Sequence, residues 1–180
     1  NWPGGVRKYW DEAIMKKKPN TPPLRIAVLG PHDCSKSERA LGIAVGAEIA
    51  RRGAVLVCGG LGGMMEAAAR GAHKQGGLTV GILPGDRADT ANAFITLPLP
   101  TGLGAIRNAV IVRASDAVIA IRGGYGTLSE IAFALRLGVP VVGLKTWSVA
   151  KDGQTDKGIH TAENPEEAVA LALRLASARR

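Results

Sequence analysis

The sequence predicts an α/β domain built on a doubly wound, mostly parallel sheet with helices on both faces. Three observations predict it. Short apolar runs alternate with longer segments of helical spacing, as in successive strand–helix units. Several of those runs are apolar almost throughout, the pattern of strands covered on both faces. Two of them stop at glycine-rich turns that lead straight into a helix, CGGLGGMM at 58–65 and RGGYGTLSE at 122–130.

Composition bounds the answer. A chain of 180 residues with 46% apolar and 21% charged residues buries one core and is neither disordered nor fibrous. No run approaches the roughly 18–20 apolar residues of a membrane span, and no secretory leader pattern opens the chain. Two cysteines, Cys34 and Cys58, fit a reducing compartment better than a disulfide scaffold, so a cytoplasmic protein is expected.

Residues 1–23 read as a basic, aromatic arm and proline-rich linker ahead of a domain at 24–180. Residues 1–18 carry Trp2, Tyr9, Trp10, Ile14 and Met15, a pattern that predicts one short amphipathic helix over about residues 6–17, ended by Pro19, Pro22 and Pro23. Half of the net charge of +8 lies in residues 1–25, where Arg7, Lys8, Lys16, Lys17, Lys18 and Arg25 stand against Asp11 and Glu12. The arm is expected to dock its aromatics on the domain or on a neighbouring subunit. With aromatics at 4%, the chain offers no stacking platform, and nucleic acid is not an expected partner.

The first strand is LRIAVLG at 24–30, followed by a helix reaching residue 52 that Ser35 and Glu38 open as an S-x-x-E capping box. His32, Asp33 and Cys34 fall beyond the carboxyl end of that strand, where ligands of open parallel sheets lie. His32, Cys34 and Cys58 match no zinc spacing, and no protein-derived metal site is expected. A second strand at 54–58 leads through Gly59, Gly60, Gly62 and Gly63 into a helix at 64–74, whose Glu66 complements the helix dipole. Strands at 78–83 and 94–97 follow, then a helix at 102–114 bearing Arg107 and Asn108. The central strand ends at Ile121. Gly123, Gly124 and Gly126 then turn the chain, and Thr127 is expected to cap the next helix, whose first amides and dipole make an anion site. A last strand at 139–144, a surface loop at 151–158 and a helix at 163–177 opened by Asn164 and Pro165 complete a Rossmann-like domain. An ordinary dinucleotide site is disfavoured. GPHDCS replaces G-x-G-x-x-G after the first strand, and Cys58-Gly59-Gly60 stands where an acid would bind the ribose hydroxyls.

Four segments, CGGLGGMMEAAARGA, GGLTVGILPG, TGLGAIRN and IRGGYGTLSEIAFAL, together resemble the superfamily that contains the Lonely Guy (LOG) cytokinin-activating phosphoribohydrolases, long labelled lysine decarboxylases, and the molybdenum cofactor carrier proteins. The resemblance runs from residue 24 to residue 144. The hydrolases carry P-G-G-x-G-T-x-x-E and an upstream arginine followed by lysine. Gly123, Gly124, Gly126, Thr127 and Glu130 match the motif and Arg107 takes the place of the arginine, whereas Arg122 replaces the proline and Asn108 the lysine. GGLTVGILPG and TGLGAIRN are nearer to the carrier branch.

The resemblance implies a binding protein for a phosphorylated pterin or nucleotide-type ligand, with the molybdenum cofactor (molybdopterin) as carried ligand. One alternative is a nucleoside 5′-monophosphate phosphoribohydrolase with Glu130 and Arg107 as catalytic pair; another is a nucleotide sensor without turnover. The expected ligand-binding residues are Gly59, Gly60, Arg107, Asn108, Gly123, Gly124, Tyr125, Gly126 and Thr127, with the phosphate on the helix start at 123–127, Arg107 as its clamp and the far end of the ligand on Gly59 and Gly60; a homo-oligomer, dimer or tetramer, is expected with the apolar helix at 128–137 at the contact. Two residues stay open at this point. Glu130 either closes a T-x-x-E capping box with Thr127 or faces the ligand, where a carboxylate stabilises an oxocarbenium-like ribose. Arg107 either sits in solvent or at an interface, or clamps a phosphate bidentately.

Overall fold

Nine short strands, seven of them in one sheet, and five α-helices follow one another in the computed structural model, which describes residues 22–180. The expected helix and docking aromatics of the arm lie outside those residues. The order is β1 (Arg25–Leu29), α1 (Lys36–Arg51), β2 (Val55–Cys58), α2 (Met64–Lys74), β3 (Thr79–Leu83), β4 (Leu97–Pro100), α3 (Arg107–Arg113), β5 (Ala117–Ile121), α4 (Tyr125–Arg136) and β6 (Val141–Leu144). A two-stranded antiparallel hairpin, β7 (Ala150–Lys151) and β8 (Gln154–Thr155), precedes β9 (Ile159–Thr161) and α5 (Pro165–Arg179).

The sheet is parallel throughout, in the order β4-β3-β2-β1-β5-β6-β9. The chain starts at β1, works outward to β4, then returns to the other side of β1 with β5. That reversal opens a crevice beyond the carboxyl ends of β1 and β5. Alternate residues of each strand feed the two cores, because successive side chains point to opposite faces. Ile26, Val28, Leu56, Ile119 and Ile121 pack against Val45 and Ile49 of α1, Met64 and Ala68 of α2 and Val169 of α5. Ala27, Leu29, Val57, Val118 and Ala120 pack against Ile111 and Val112 of α3 and Ile131 of α4. Every residue of β5 is buried, as its apolar run requires.

Helix starts show which sequence signals are read literally. Ser35 Oγ accepts from the Glu38 amide at 3.2 Å and Glu38 Oε2 from the Ser35 amide at 2.8 Å, a complete capping box. Asn164 Oδ1 accepts from the Glu167 amide at 2.9 Å ahead of Pro165. At the opposite end of the sheet from the crevice, Asp116 binds both Arg25 and Arg180, and Arg180 also donates to the carbonyls of Pro22 and Pro23.

Four expectations are corrected. The fourth strand is Leu97–Pro100, not 94–97: Phe94 and Ile95 sit in a turn where the Asn92 side chain accepts from the Phe94 amide and the Thr79 hydroxyl donates to the Phe94 carbonyl. Pro98 and Pro100 fit the strand because it is an edge. The helix expected at 102–114 is a 3₁₀ turn, Gly104–Ile106, followed by the shorter α3. The loop at 151–158 contains most of the small hairpin, and β9, absent from the sequence reading, adds a seventh strand. Finally, Thr127 does not cap α4; Gly124 occupies that position and no side chain caps the helix.

Candidate functional site

The crevice has a volume of about 560 Å³ and its wall is drawn from the carboxyl ends of β1, β2, β3 and β5. Gly30, His32 and Asp33 come from the β1 loop, Gly59, Leu61 and Met65 from the β2 turn, Pro84 from the end of β3. Arg107, Asn108 and Ile111 of α3 face Gly124, Gly126, Thr127 and Glu130 at the start of α4.

The β5 turn is built to leave amides free. Arg122 and Gly123 take positive φ, 54° and 104°, and a side chain at Gly123 would fall 2.3 Å from Thr127 Oγ1. Thr127, expected as the cap, is therefore the third residue of α4, buried beneath Gly123. Gly124 and Gly126 have nothing within 4 Å of where a Cβ would stand, so neither is glycine for the sake of packing. The uncapped amides and the positive end of the helix dipole coincide on the crevice side.

The same shift answers the question about Glu130. With the helix starting at Gly124, no Thr127–Glu130 capping box forms; Glu130 lies one turn in and lines the crevice. It is 8% exposed, and burial raises its pKa to about 7, against the pull of the Arg107 charge.

Arg107, at the first position of α3, is also 8% exposed. Its Nη2 donates to the Gly59 carbonyl at 3.4 Å, Nη1 donates to Asn108 Oδ1, and Nε is buried without a partner. Burial lowers its pKa, partly offset by Glu130 and Cys58. No carboxylate among the described residues lies within ion-pair distance of Arg107. An enclosed guanidinium with an idle donor is costly unless an anion completes it. Asn108, which accepts from that guanidinium, itself lines the crevice.

The β2 turn is filled instead. A side chain at Gly59 would meet Arg107 Nη2 and Met65 Sδ at 2.5 Å, and one at Gly63, whose φ is 68°, would meet the His32 carbonyl at 1.9 Å. Gly60 donates its amide to Cys58 Sγ at 3.4 Å. Burial pushes the Cys58 thiol up to about 11, which keeps it protonated and unreactive. The Met64 amide donates to the Pro31 carbonyl at 3.0 Å, so the first turn of α2 is closed by the β1 loop. The Cys34 thiol donates to the same carbonyl, at 3.3 Å. No group of three His, Cys, Asp or Glu side chains among the described residues is placed to hold a metal ion.

Tyr125, an expected site residue, does not line the crevice: it is 82% exposed and its ring lies tilted against Trp147 with centroids 5.7 Å apart. Arg122 is half-exposed and its Nε lies 3.8 Å from Glu38 Oε1, toward α1. Sequence reading missed the loop after β6. Trp147 Nε1 donates to the carbonyls of Gly123 at 3.0 Å and Gly124 at 3.2 Å, and the Thr146 hydroxyl donates to that of Arg122. The available signal was a tryptophan just beyond the last apolar strand.

Residues 23–169 match the SLOG cluster4 family. An uncharacterised protein of Archaeoglobus fulgidus is 44% identical over 146 residues, covering 81% of this chain and 92% of that one. A probable cytokinin riboside 5′-monophosphate phosphoribohydrolase of Oryza sativa subsp. japonica is 36% identical over 98 residues, 53% of this chain and 40% of its own length. Among solved structures, a molybdenum cofactor binding protein from Rippkaea orientalis superposes with a TM-score of 0.76 at 33% identity, covering 86% of this chain and 98% of that one. A molybdenum cofactor carrier protein from Chlamydomonas reinhardtii gives 0.77 at 32% identity, with 87% and 99% covered. No helix among the described residues is long and apolar enough to cross a membrane.

Proposed function

The chain belongs to the SLOG cluster4 family, within the superfamily of Lonely Guy phosphoribohydrolases and molybdenum cofactor carriers, and on that premise we propose that it binds a phosphorylated pterin, with the molybdenum cofactor as its cargo. The observation that carries the reading is the buried Arg107 guanidinium, whose Nε has no partner, facing an α4 start that no side chain caps. A phosphate set between them gains two-point contact from Arg107 and amide hydrogen bonds from Gly124 to Thr127. A crevice of about 560 Å³ suits one ligand of nucleotide or pterin size. The heterocycle then lies toward Leu61, Met65 and Pro84, with His32 and Asp33 at its polar edge. The metal arrives held by the pterin and asks no ligand of the chain.

The uncapped Glu130 supports a second reading, hydrolysis of a nucleoside 5′-monophosphate. There the bond between the ribose C1′ and the base nitrogen breaks, a water oxygen bonds to C1′, and a water proton leaves with the base. Glu130, as carboxylate, stabilises the positive charge on the ribose while Arg107 holds the phosphate.

Incubation with a panel of nucleoside 5′-monophosphates, including N6-modified adenosine monophosphates, separates the readings. Free base in the chromatogram that disappears in Glu130→Gln overturns the carrier. No base release, with a pterin retained on purification and lost in Arg107→Ala, supports it; Arg107-dependent phosphate binding with neither points to a sensor. An apolar groove between α3 and α4, lined by Ile106, Val110, Phe133 and Leu137, is the surface we assign to contact between copies, and sedimentation of wild type beside Ile106→Glu tests it.

A further inference from the structure

The start of α4 is a usable anion site only if its peptide planes are held with the N–H groups inward, and the helix itself holds only the last of them, through the Gly124 carbonyl, which accepts from the Leu128 amide at 3.0 Å. We propose that Thr146 and Trp147 are positioning residues that fix this orientation from outside the crevice, by engaging the carbonyls of three consecutive residues. Thr146 Oγ1 donates to Arg122 O, and Trp147 Nε1 donates to both Gly123 O and Gly124 O.

A trans peptide points its N–H opposite to its C=O. Binding the carbonyls of Arg122, Gly123 and Gly124 on the Trp147 side therefore turns the amides of Gly123, Gly124 and Tyr125 to the other side. Of these three residues Gly124 lines the crevice, with Gly126 and Thr127 beside it further along the helix. Successive inward amides of this kind form an anion-binding concavity. The clamp is itself anchored. The Arg122 amide donates to the Leu144 carbonyl at the end of β6, two residues before Thr146, and the indole packs against the Tyr125 ring. Neither Thr146 nor Trp147 lines the crevice, so they touch no ligand and act through the loop alone.

Because the inference rests on a phosphate occupying the site, it needs one readout with a ligand and one without. The ligand readout is the preference of the protein for adenosine 5′-monophosphate over adenosine, measured by equilibrium binding in wild type and Trp147→Phe. Phenylalanine keeps a ring beside Tyr125 but removes the N–H donor together with one ring of the indole, part of which packs on the core. The expected result is a loss of roughly tenfold in that preference, the worth of a polar contact or two, with adenosine affinity at its wild-type value. The ligand-free readout is the backbone ¹⁵N order parameter at Gly123 to Thr127, expected to drop from about 0.85 in wild type to below about 0.6 in the variant. Thr146→Val is the second probe should Trp147→Phe fail to fold. Wild-type loop order in a folded variant overturns the clamp. Wild-type protein that prefers adenosine 5′-monophosphate no more than adenosine overturns the proposed function instead, and the order parameters still decide the clamp.

Discussion

Two glycine-rich turns join a buried strand to a helix in this molecule, and they are glycine-rich for different reasons. In the β2 turn the glycines are occupied by neighbours: Arg107 and Met65 fill the place of a side chain at Gly59, and the His32 carbonyl fills it at Gly63. The helix that follows has its first amide taken by the Pro31 carbonyl. In the β5 turn only Gly123 is occupied, by Thr127, while Gly124 and Gly126 stand open; neither helix is capped by a side chain. The first turn is a packed joint; the second is open. Gly59 joins the two roles, because it lies on the crevice wall and its carbonyl accepts from Arg107.

The largest effect this contrast predicts is at Gly63. Alanine there must adopt a φ of 68° and place its Cβ 1.9 Å from the His32 carbonyl, so Gly63→Ala is expected to cost about 4 kcal/mol or to abolish folding. Urea denaturation at wild-type stability would dissolve the distinction between the turns.

Next in size is the pH dependence set by Glu130. Its pKa rises from an ordinary 4.5 to about 7 in the folded chain. The native state therefore holds a proton that the unfolded chain releases between these values. Stability contributed by the neutral acid is whole below about pH 4.5, declines as pH rises toward 7 and is flat above, a span of up to about 3 kcal/mol. Glu130→Gln should flatten that decline and unfold at higher urea than wild type at pH 8; parallel curves for the two proteins would show that Glu130 is not enclosed.

Arg107→Lys sharpens the comparison from the ligand side. Lysine keeps the charge but loses the fork, and affinity for adenosine 5′-monophosphate should fall by about ten- to a hundredfold, as removal of a charge-assisted contact does. An isothermal titration with unchanged affinity would take the phosphate away from Arg107. The smallest stability effect belongs to Gly126→Ala, at the second position of α4 with open space around it. Stability should hold or rise by less than about 1 kcal/mol, while phosphate binding weakens because the methyl group enters the crevice. Equal losses of stability at Gly63 and Gly126 would make both turns mere joints.

Much of the fold was legible because burial on both faces leaves a plain signature. The apolar runs of β1, β2, β3, β5 and β6 all appear in the sheet, and α2 occupies residues 64–74 as its alanine content and spacing indicate. The same reasoning failed for β4 and β9. The first is an exposed edge with two prolines and the second has three residues, so neither shows a run to read. Two similar patterns also came out differently. Ser35-x-x-Glu38 is a capping box, whereas Thr127-x-x-Glu130 is not, because the left-handed turn at Gly123 lets the helix begin three residues before Thr127 would have capped it. Arg107 was visible as a candidate through the family resemblance, yet its orphaned Nε depends on which carbonyls surround it. Thr146 and Trp147 carry no motif at all; their part depends on β6 lying beside β5 in the sheet.

Arg122 has a consequence for how this lineage could have arisen. Its φ of 54° lies in a basin closed to proline, whose ring fixes φ near −65°. The hydrolase motif has proline at this position. A chain carrying that proline must enter the glycine pair along a different backbone path, and no single exchange at residue 122 converts one path into the other without moving the loop. An exchange between proline and arginine at residue 122 is thus a step in conformation as well as in side chain, which a residue that tolerates both, such as glycine, would bridge.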